Sequence, residues 1–126
     1  MHKRTKALQY SKETAYKVAE RDNHTCIFCK MGYHMEGINR SGFGSTVYDI
    51  AHFINKSQGG LGIEENLVLL CRYHHSLLDN GNKGLRPEML SIMEEYLRSI
   101  YIDWDKEKLK YRRNYEGWIF IVRNSF

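Results

Sequence analysis

The sequence predicts a small α+β domain, and three observations support this fold class. The chain has 126 residues, a length that suits one compact domain. Two short segments, 46–53 and 66–70, are rich in β-branched, aromatic or aliphatic residues, as is typical of strands. Between residues 87 and 100, apolar side chains recur every three or four positions, which predicts an amphipathic helix. We therefore expect a single domain over residues 1–126.

The first half of the chain is expected to contain a helix, a metal-binding knuckle and a strand. Ser11 is a suitable N-cap for a helix over residues 11–21. A polar turn over residues 21–25 leads into the knuckle. The glycine-rich stretch 31–45 favours a loop, with a hairpin as an alternative. The strand over 46–53 follows it.

The second half is expected to begin with a loop over residues 55–62 and the second strand. A helix should then run from Arg72 to about Asp79, where Asn80-Gly81 would end it. Pro87 suits the first turn of the amphipathic helix, which would brace the core. The last apolar segment, residues 118–122, is expected to be either a strand or a strip that docks on the core.

Charge and hydropathy limit the classes of function. The formal net charge is +4, with basic clusters at residues 3–6 and 106–113, so a polyanionic partner is compatible but not required. The clusters favour phosphate contacts on both flanks, or equally a solvated helical face. No apolar run approaches membrane-spanning length, and no apolar stretch follows the basic start. We therefore expect a cytoplasmic protein without a membrane partner.

Three cysteines and a histidine have the spacing of a zinc site. Cys26-x-x-Cys29 and Cys71-x-x-His74 each allow one tight turn to present two ligands of a tetrahedron. This spacing favours His74 over His75 without deciding between them. Four protein ligands would leave no position for water, so the zinc would be structural. The alternatives are buried inert cysteines and a redox site, although no βαβ pattern surrounds the CxxC pair.

Four motifs follow one another in a fixed order, namely Asp49-Ile50-Ala51-His52-Phe53, Gly59-Gly60, Glu65-Asn66-Leu67-Val68-Leu69-Leu70-Cys71 and His74-His75. Together they resemble the HNH endonuclease family, in particular its small zinc-containing members from phages and mobile elements. The resemblance covers residues 20–82 and implies a ββα-metal (His-Me finger) core with a structural zinc knuckle and flanking helices. Residues 85–126 would then form a helical brace and a basic tail.

The resemblance also implies a reaction and a set of roles. The family hydrolyses DNA phosphodiester bonds with Mg²⁺ or another divalent ion and leaves 5′-phosphate and 3′-hydroxyl ends. By this resemblance, His52 would be the general base, and Asn66 would stabilise the loop and hold the His52 ring through a hydrogen bond. His75 would ligate the catalytic ion, with Asp79 as a second ligand one helical turn further on.

One position departs from the family pattern. Many members have a metal-binding Asp or His immediately before the base, where this chain has Ala51. Because side chains alternate along a strand, Asp49 lies on the same face, about 7 Å farther along. Asp49 and Asp79 therefore compete for the vacant role. The alternative function is a catalytically weak or inactive zinc-stabilised DNA-binding module, and a third hypothesis is a redox or zinc-sensing protein.

The sequence leaves the biological setting open. It does not specify the site of cleavage, the oligomeric state, or a role in packaging, mobility or defence. One active site per chain would make a double-strand break through a homodimer or through two successive nicks. A phage packaging partner is one of the alternatives that the resemblance raises.

Overall fold

A two-stranded antiparallel sheet organises the helices of this protein. The computed structural model describes residues 3–41, 47–80, 84–114 and 117–119. Its helices are α1 (Lys3–Leu8), α2 (Lys12–Arg21), α3 (Ile27–Met31), α4 (Glu36–Ser41), α5 (Arg72–Asn80) and α6 (Arg86–Ile100). Its strands are β1 (Tyr48–His52), β2 (Leu67–Cys71), β3 (Arg112–Asn114) and β4 (Gly117–Ile119). The small α+β fold expected from the sequence is therefore present.

The central strand β2 is buried along its whole length and separates two apolar clusters. It pairs with β1 in a register that places Tyr48 opposite Cys71 and His52 opposite Leu67. Val68 and Leu70 face the main core with α3, α5 and α6. Leu67 and Leu69 face the other way and pack on α2. Because successive side chains alternate between faces, the continuous apolar run of β2 fills both clusters.

The helices predicted from capping and periodicity are confirmed. The Ser11 side chain accepts a hydrogen bond of 3.0 Å from the Thr14 amide at the start of α2. Along α6, Met89, Met93 and Leu97 recur every four residues and are fully buried. Among the helices that the structure describes, none combines the length and the apolar composition needed to cross a bilayer.

Helices α1 and α4 were not expected. Helix α1 has one buried side chain, Leu8, so its sequence carries no periodic signal, and its end is tied to the Gly62 amide through the Ala7 carbonyl. Helix α4 lies in the stretch 31–45, where a loop was expected. In the apolar segment 118–122, the backbone forms part of β4, and residues 120–122 lie outside the described residues.

A buried ionic cluster joins α2, β2 and α6 and includes Arg21 and Asp22, from the stretch where a polar turn was expected. Asp22 is 1% exposed and accepts hydrogen bonds from Arg21 at 2.7 Å, from the Leu69 amide at 2.9 Å and from the Tyr96 hydroxyl. Arg21 in turn donates to the Leu67 carbonyl at 2.7 Å. Each buried charge is thus paired and hydrogen-bonded, which is the condition for keeping it buried.

Candidate metal centre

Four side chains converge inside the main core. The ligand atoms of Cys26, Cys29, Cys71 and His74 all lie within 4.8 Å of one another. Cys26 and Cys71 are fully buried, as is His74, and Cys29 is partly exposed. The Cys₃His set predicted from spacing is therefore present.

The distances within this cluster fit a tetrahedral zinc ion. Zinc binds sulfur at about 2.3 Å and nitrogen at about 2.0–2.1 Å, so a tetrahedron separates two sulfurs by about 3.8 Å and a sulfur from a nitrogen by about 3.6 Å. The Sγ atoms of Cys29 and Cys71 are 3.7 Å apart. The Nδ1 atom of His74 is 3.6 Å from Cys26 Sγ, 3.5 Å from Cys29 Sγ and 3.3 Å from Cys71 Sγ. The cluster could therefore bind a zinc ion.

Local structure delivers the ligands in two pairs. Cys26 precedes the first turn of α3, and Gly32, in the left-handed region at φ 71°, ends that helix just after Cys29. Cys71 is the last residue of β2, and His74 lies in the first turn of α5. Each pair therefore sits where a helix begins, and the two pairs meet because α3 and α5 both pack on β2.

A second hydrogen bond orients the histidine ligand. His74 Nε2 donates to the Tyr33 carbonyl at 2.6 Å, which leaves Nδ1 unprotonated and directed at the three sulfurs. Burial lowers the pKa of His74, which favours the neutral form that a metal requires. Burial also raises the pKa of Cys26 and Cys29, so a bound cation is needed to stabilise their thiolates.

His75 lies outside this cluster and bridges two carboxylates. Its Nδ1 atom is 2.9 Å from Asp49 Oδ2, and its Nε2 atom is 3.2 Å from Asp79 Oδ2. The ambiguity between the two adjacent histidines is therefore resolved, with His74 in the cysteine cluster and His75 beside the acids. The structure also brings both competing aspartates into contact with His75.

Arg72 is a further member of the His75 group that the motif did not reveal. Its guanidinium donates two hydrogen bonds to Asp49, at 2.9 and 3.1 Å. These bonds hold the pKa of Asp49 below its ordinary value, and the His75 hydrogen bond acts in the same direction against the effect of burial. Asp49 is therefore a carboxylate at neutral pH. A basic residue directly after the last cysteine was the only sequence signal for this contact.

These residues line an open groove of about 610 Å³ along β1. The groove is bordered by Tyr10, Ala15, Tyr48, Asp49, Ile50, Arg72, His75, Ser76 and Asp79. Asp49 and Ile50 point to opposite faces of the strand, so the groove extends across its edge. One wall is thus polar and belongs to α5, and the other belongs to α2 and the residues before it.

The acids of the groove do not form a closed ligand set. Asp49 faces Nδ1 of His75 and Asp79 faces Nε2, so the carboxylates approach the ring from different sides. Within the described part of the chain, only the cysteine cluster brings three or more donor groups to one point. Ala51 is buried in the main core and offers no donor. The donor types suit a divalent cation, whereas their arrangement around His75 is that of mutual hydrogen bonding.

His52 is held by the N-terminal segment at the end of β1. Its Nε2 atom donates to the Leu8 carbonyl at 3.0 Å, which leaves Nδ1 as the basic nitrogen. Burial lowers the pKa of His52, the Leu8 carbonyl opposes this effect, and the charge of Lys56 reinforces it. The ring is therefore neutral at neutral pH. Its centroid lies 6.2 Å from that of Tyr10. Tyr10 lines the groove, whereas His52 is not among the lining residues.

Asn66 organises the loop that follows β1, and its side chain forms no hydrogen bond with the His52 ring. Its side-chain oxygen accepts from the Ile54 amide at 2.8 Å, and its nitrogen donates to the carbonyls of Ile54 and Leu61 at 3.1 and 2.9 Å. The expected loop-stabilising contacts are present. The expected hydrogen bond to His52 is absent, and the Leu8 carbonyl has that position instead.

Sequence reasoning missed the contribution of residues 8–10 to this region. The Leu8 contact is made by a backbone carbonyl, which the residue type does not predict. Tyr10 follows α1, a helix that was not predicted from the sequence. These contacts emerge only from the tertiary structure. Comparisons of the chain with protein-family models, with curated proteins and with solved structures gave no match, so the site is defined by its own geometry.

Proposed function

We propose that this protein is a metal-dependent DNA endonuclease of the HNH type. The observation that carries the proposal is the strand–strand–helix unit of β1, β2 and α5. It carries His52 at the end of its first strand and His75 on its helix, next to a cluster suited to zinc. This arrangement agrees with the order of the family motifs. The ββα-metal assignment of the fold is part of the same proposal.

In this proposal His52 is the general base. Its Nε2–H bond to Leu8 fixes the tautomer and leaves Nδ1 to take a proton from an attacking water. Because its pKa is lowered, the ring stays unprotonated at neutral pH, as a base must. Asn66 acts as a positioning residue, because it shapes the loop between the two strands rather than contacting the ring.

His75 would hold the catalytic divalent ion with either Asp79 or Asp49, because the two carboxylates face different nitrogens of the ring. When bound, Mg²⁺ or a similar cation would offset the negative charge on the phosphate and on the leaving 3′ oxygen. Carboxylate and imidazole donors suit such an ion. Arg72 keeps Asp49 ionised and adds a positive charge at the same edge of the groove.

The zinc of the Cys₃His cluster has a structural role in this proposal. All four ligand positions are taken by protein side chains, and His74 is fully buried. A closed ligand shell leaves no coordination position for water or substrate. The ion would therefore join α3 to the β2–α5 junction instead of taking part in hydrolysis.

A zinc-stabilised DNA-binding module without activity is the second candidate. Two observations favour it, namely the buried Ala51 in place of a ligand and the arrangement of the acids on separate nitrogens of His75. Salt-sensitive binding of DNA without cleavage under any divalent ion would select it over the nuclease.

The test compares nicking of supercoiled plasmid by the wild type and by His52→Asn, with Mg²⁺, Mn²⁺ or Ni²⁺ added. An asparagine side chain keeps a polar amide at this position but cannot accept a proton from water at neutral pH. Because a positioned general base contributes about 10²–10⁴-fold, we expect the nicking rate of this variant to fall by a factor in that range.

His24→Asn is the matched control. His24 is exposed after α2 at φ 54°, a left-handed conformation that asparagine tolerates, so this variant should nick at the wild-type rate. Equal rates for His52→Asn and the wild type would exclude His52 as the base. A wild-type protein that nicks with none of the three ions would exclude the nuclease itself.

A further inference from the structure

The N-terminal and C-terminal basic segments meet at the loop between β1 and β2. The Leu61 amide donates to the Leu109 carbonyl at 2.8 Å, and the Tyr111 amide donates to the Gly59 carbonyl at 2.7 Å. On the other side of the loop, the Gly62 amide donates to the Ala7 carbonyl at 3.0 Å. The loop thus lies between α1 and residues 109–111, and it joins segments that are about a hundred residues apart in sequence.

These three segments concentrate the positive charge of the protein. Residues 3–8, 55–62 and 106–112, here called the basic surface, contain eight Lys or Arg side chains and one acidic side chain, Glu107. The whole chain has 19 basic and 15 acidic residues, so the remainder is net acidic. The total charge of the chain is modest because a strongly basic surface is partly balanced by a net acidic remainder.

Several cations of the basic surface are not neutralised by a neighbour. Arg112 pairs with Glu107, and Lys106 pairs with Glu94. In the described part of the chain no ion pair involves Lys6, Lys56 or Lys110, one from each of the three segments. These three side chains are available for an anionic partner without breaking an existing pair.

A cleft of about 450 Å³ with both polar and apolar lining residues runs along the same surface. Asn55 and Gln58 of the loop line it together with Arg86, Lys106 and Lys110, and Glu94 is its one acidic lining residue. Amide and cationic side chains are the groups that commonly contact phosphate oxygens of nucleic acids. The basic surface therefore has a concave part of suitable chemistry.

The basic surface continues directly to His52. The carbonyl that holds His52 belongs to Leu8, the last residue of α1, and Lys56 raises the local positive potential at the ring. A polyanion bound along α1 and the loop would pass beside the candidate base. No comparable concentration of acids interrupts this path within the three segments.

We infer that the basic surface is the docking site for the sugar-phosphate backbone of duplex DNA. Release of counterions from the duplex drives such binding and makes it strongly dependent on salt. This inference rests on the proposed function for its choice of DNA. It adds that the DNA is held by residues from both ends of the chain, which the β1–β2 loop brings together.

The experiment measures binding of a short DNA duplex over a range of salt concentrations, without added divalent ion. The variant is Lys6→Gln combined with Lys110→Gln, and the Gly60–Lys110 bridge is a backbone pairing that this change leaves intact. We expect the slope of log affinity against log salt to fall by about 2 and the affinity at low salt to fall about tenfold or more.

The control is Lys17→Gln combined with Lys30→Gln, which removes the same charge from α2 and α3. Equal losses in the two double variants would mean that only total charge matters, and would overturn the inference. Unchanged binding by the first variant, or wild-type binding of single-stranded RNA but not of the duplex, would overturn it as well. Because the readout is binding, it stays decisive even if the plasmid assay detects no nicking.

Discussion

At the scale of single residues, the hydrogen bonds of Asn66 are enough to explain why asparagine occupies this position of the motif. Its amide uses one acceptor and both donor hydrogens to hold Ile54 and Leu61, and the side chain is fully buried. No other residue type of similar volume offers an acceptor and two donors in one plane. The loop conformation therefore requires asparagine, whether or not the groove is catalytic.

Replacing Asn66 by alanine should destabilise the protein severely. The change leaves the Ile54 amide and two carbonyls buried without partners, and each such group costs about 1–3 kcal/mol. We expect a loss of about 3–5 kcal/mol in the free energy of unfolding, measured with urea. Asn55→Ala is the control, because the Asn55 side chain forms no cap hydrogen bond in the same loop. A loss equal to that of the control would show that the three contacts contribute little.

At the scale of elements, the β1–β2 loop depends on glycines that permit close approach of backbones. A Cβ atom at Gly62 would lie 2.1 Å from the Gln9 carbonyl oxygen, and one at Gly60 would lie 1.7 Å from that of Ile54. Both neighbours are backbone atoms, which cannot rotate away. Gly62 therefore sets the distance between the loop and the end of α1, close to the Leu8 carbonyl that holds His52, and Gly60 lets the loop fold back on Ile54.

Gly62→Ala should force the N-terminal segment away from the loop. We expect a loss of more than about 2 kcal/mol in the free energy of unfolding, in the upper part of the range for single substitutions. Gly84→Ala is the matched control, since it has open space around it and only the strain of φ 66°, about 1–2 kcal/mol. Urea unfolding of both variants checks this, and equal losses would mean that the close approach relaxes easily.

At the scale of the whole molecule, the Cys₃His cluster is part of the main core rather than an attachment to it. Cys26 and Cys71 pack in the same apolar cluster as Phe28 and Leu78. The sheet that carries the core has two strands, and such a pair is marginal alone. In a domain of this size, a metal ion would supply much of the missing stability.

Removal of zinc should therefore unfold the protein at a lower temperature. Zinc binding to similar ligand sets contributes about 10–16 kcal/mol in small domains, so we expect chelation to lower Tm by at least about 10 °C. Metal analysis of the untreated protein should find one zinc per chain, and added zinc should restore the original Tm. A chelated, zinc-free protein with an unchanged Tm would contradict the structural role.

The features that the sequence predicts correctly are local in origin. Helix α6 follows from periodicity, the start of α2 from its Ser11 cap, and the metal cluster from paired two-residue spacers. The features it misses depend on tertiary contacts. Asp22 reads as a turn residue but is buried by partners from β2 and α6, and Leu8 acts through a backbone carbonyl. No local pattern encodes either contact.

The separation of the two ligand pairs has a consequence in time. Cys29 and Cys71 are 42 residues apart in the chain. At a synthesis rate of about 5–20 residues per second, roughly 2–8 s pass between them. During that interval the growing chain offers two of its four zinc ligands, and the strand that will bury them does not yet exist. The first cysteine pair must therefore stay reduced, with half of the ligand set missing, until β2 and the start of α5 are synthesised.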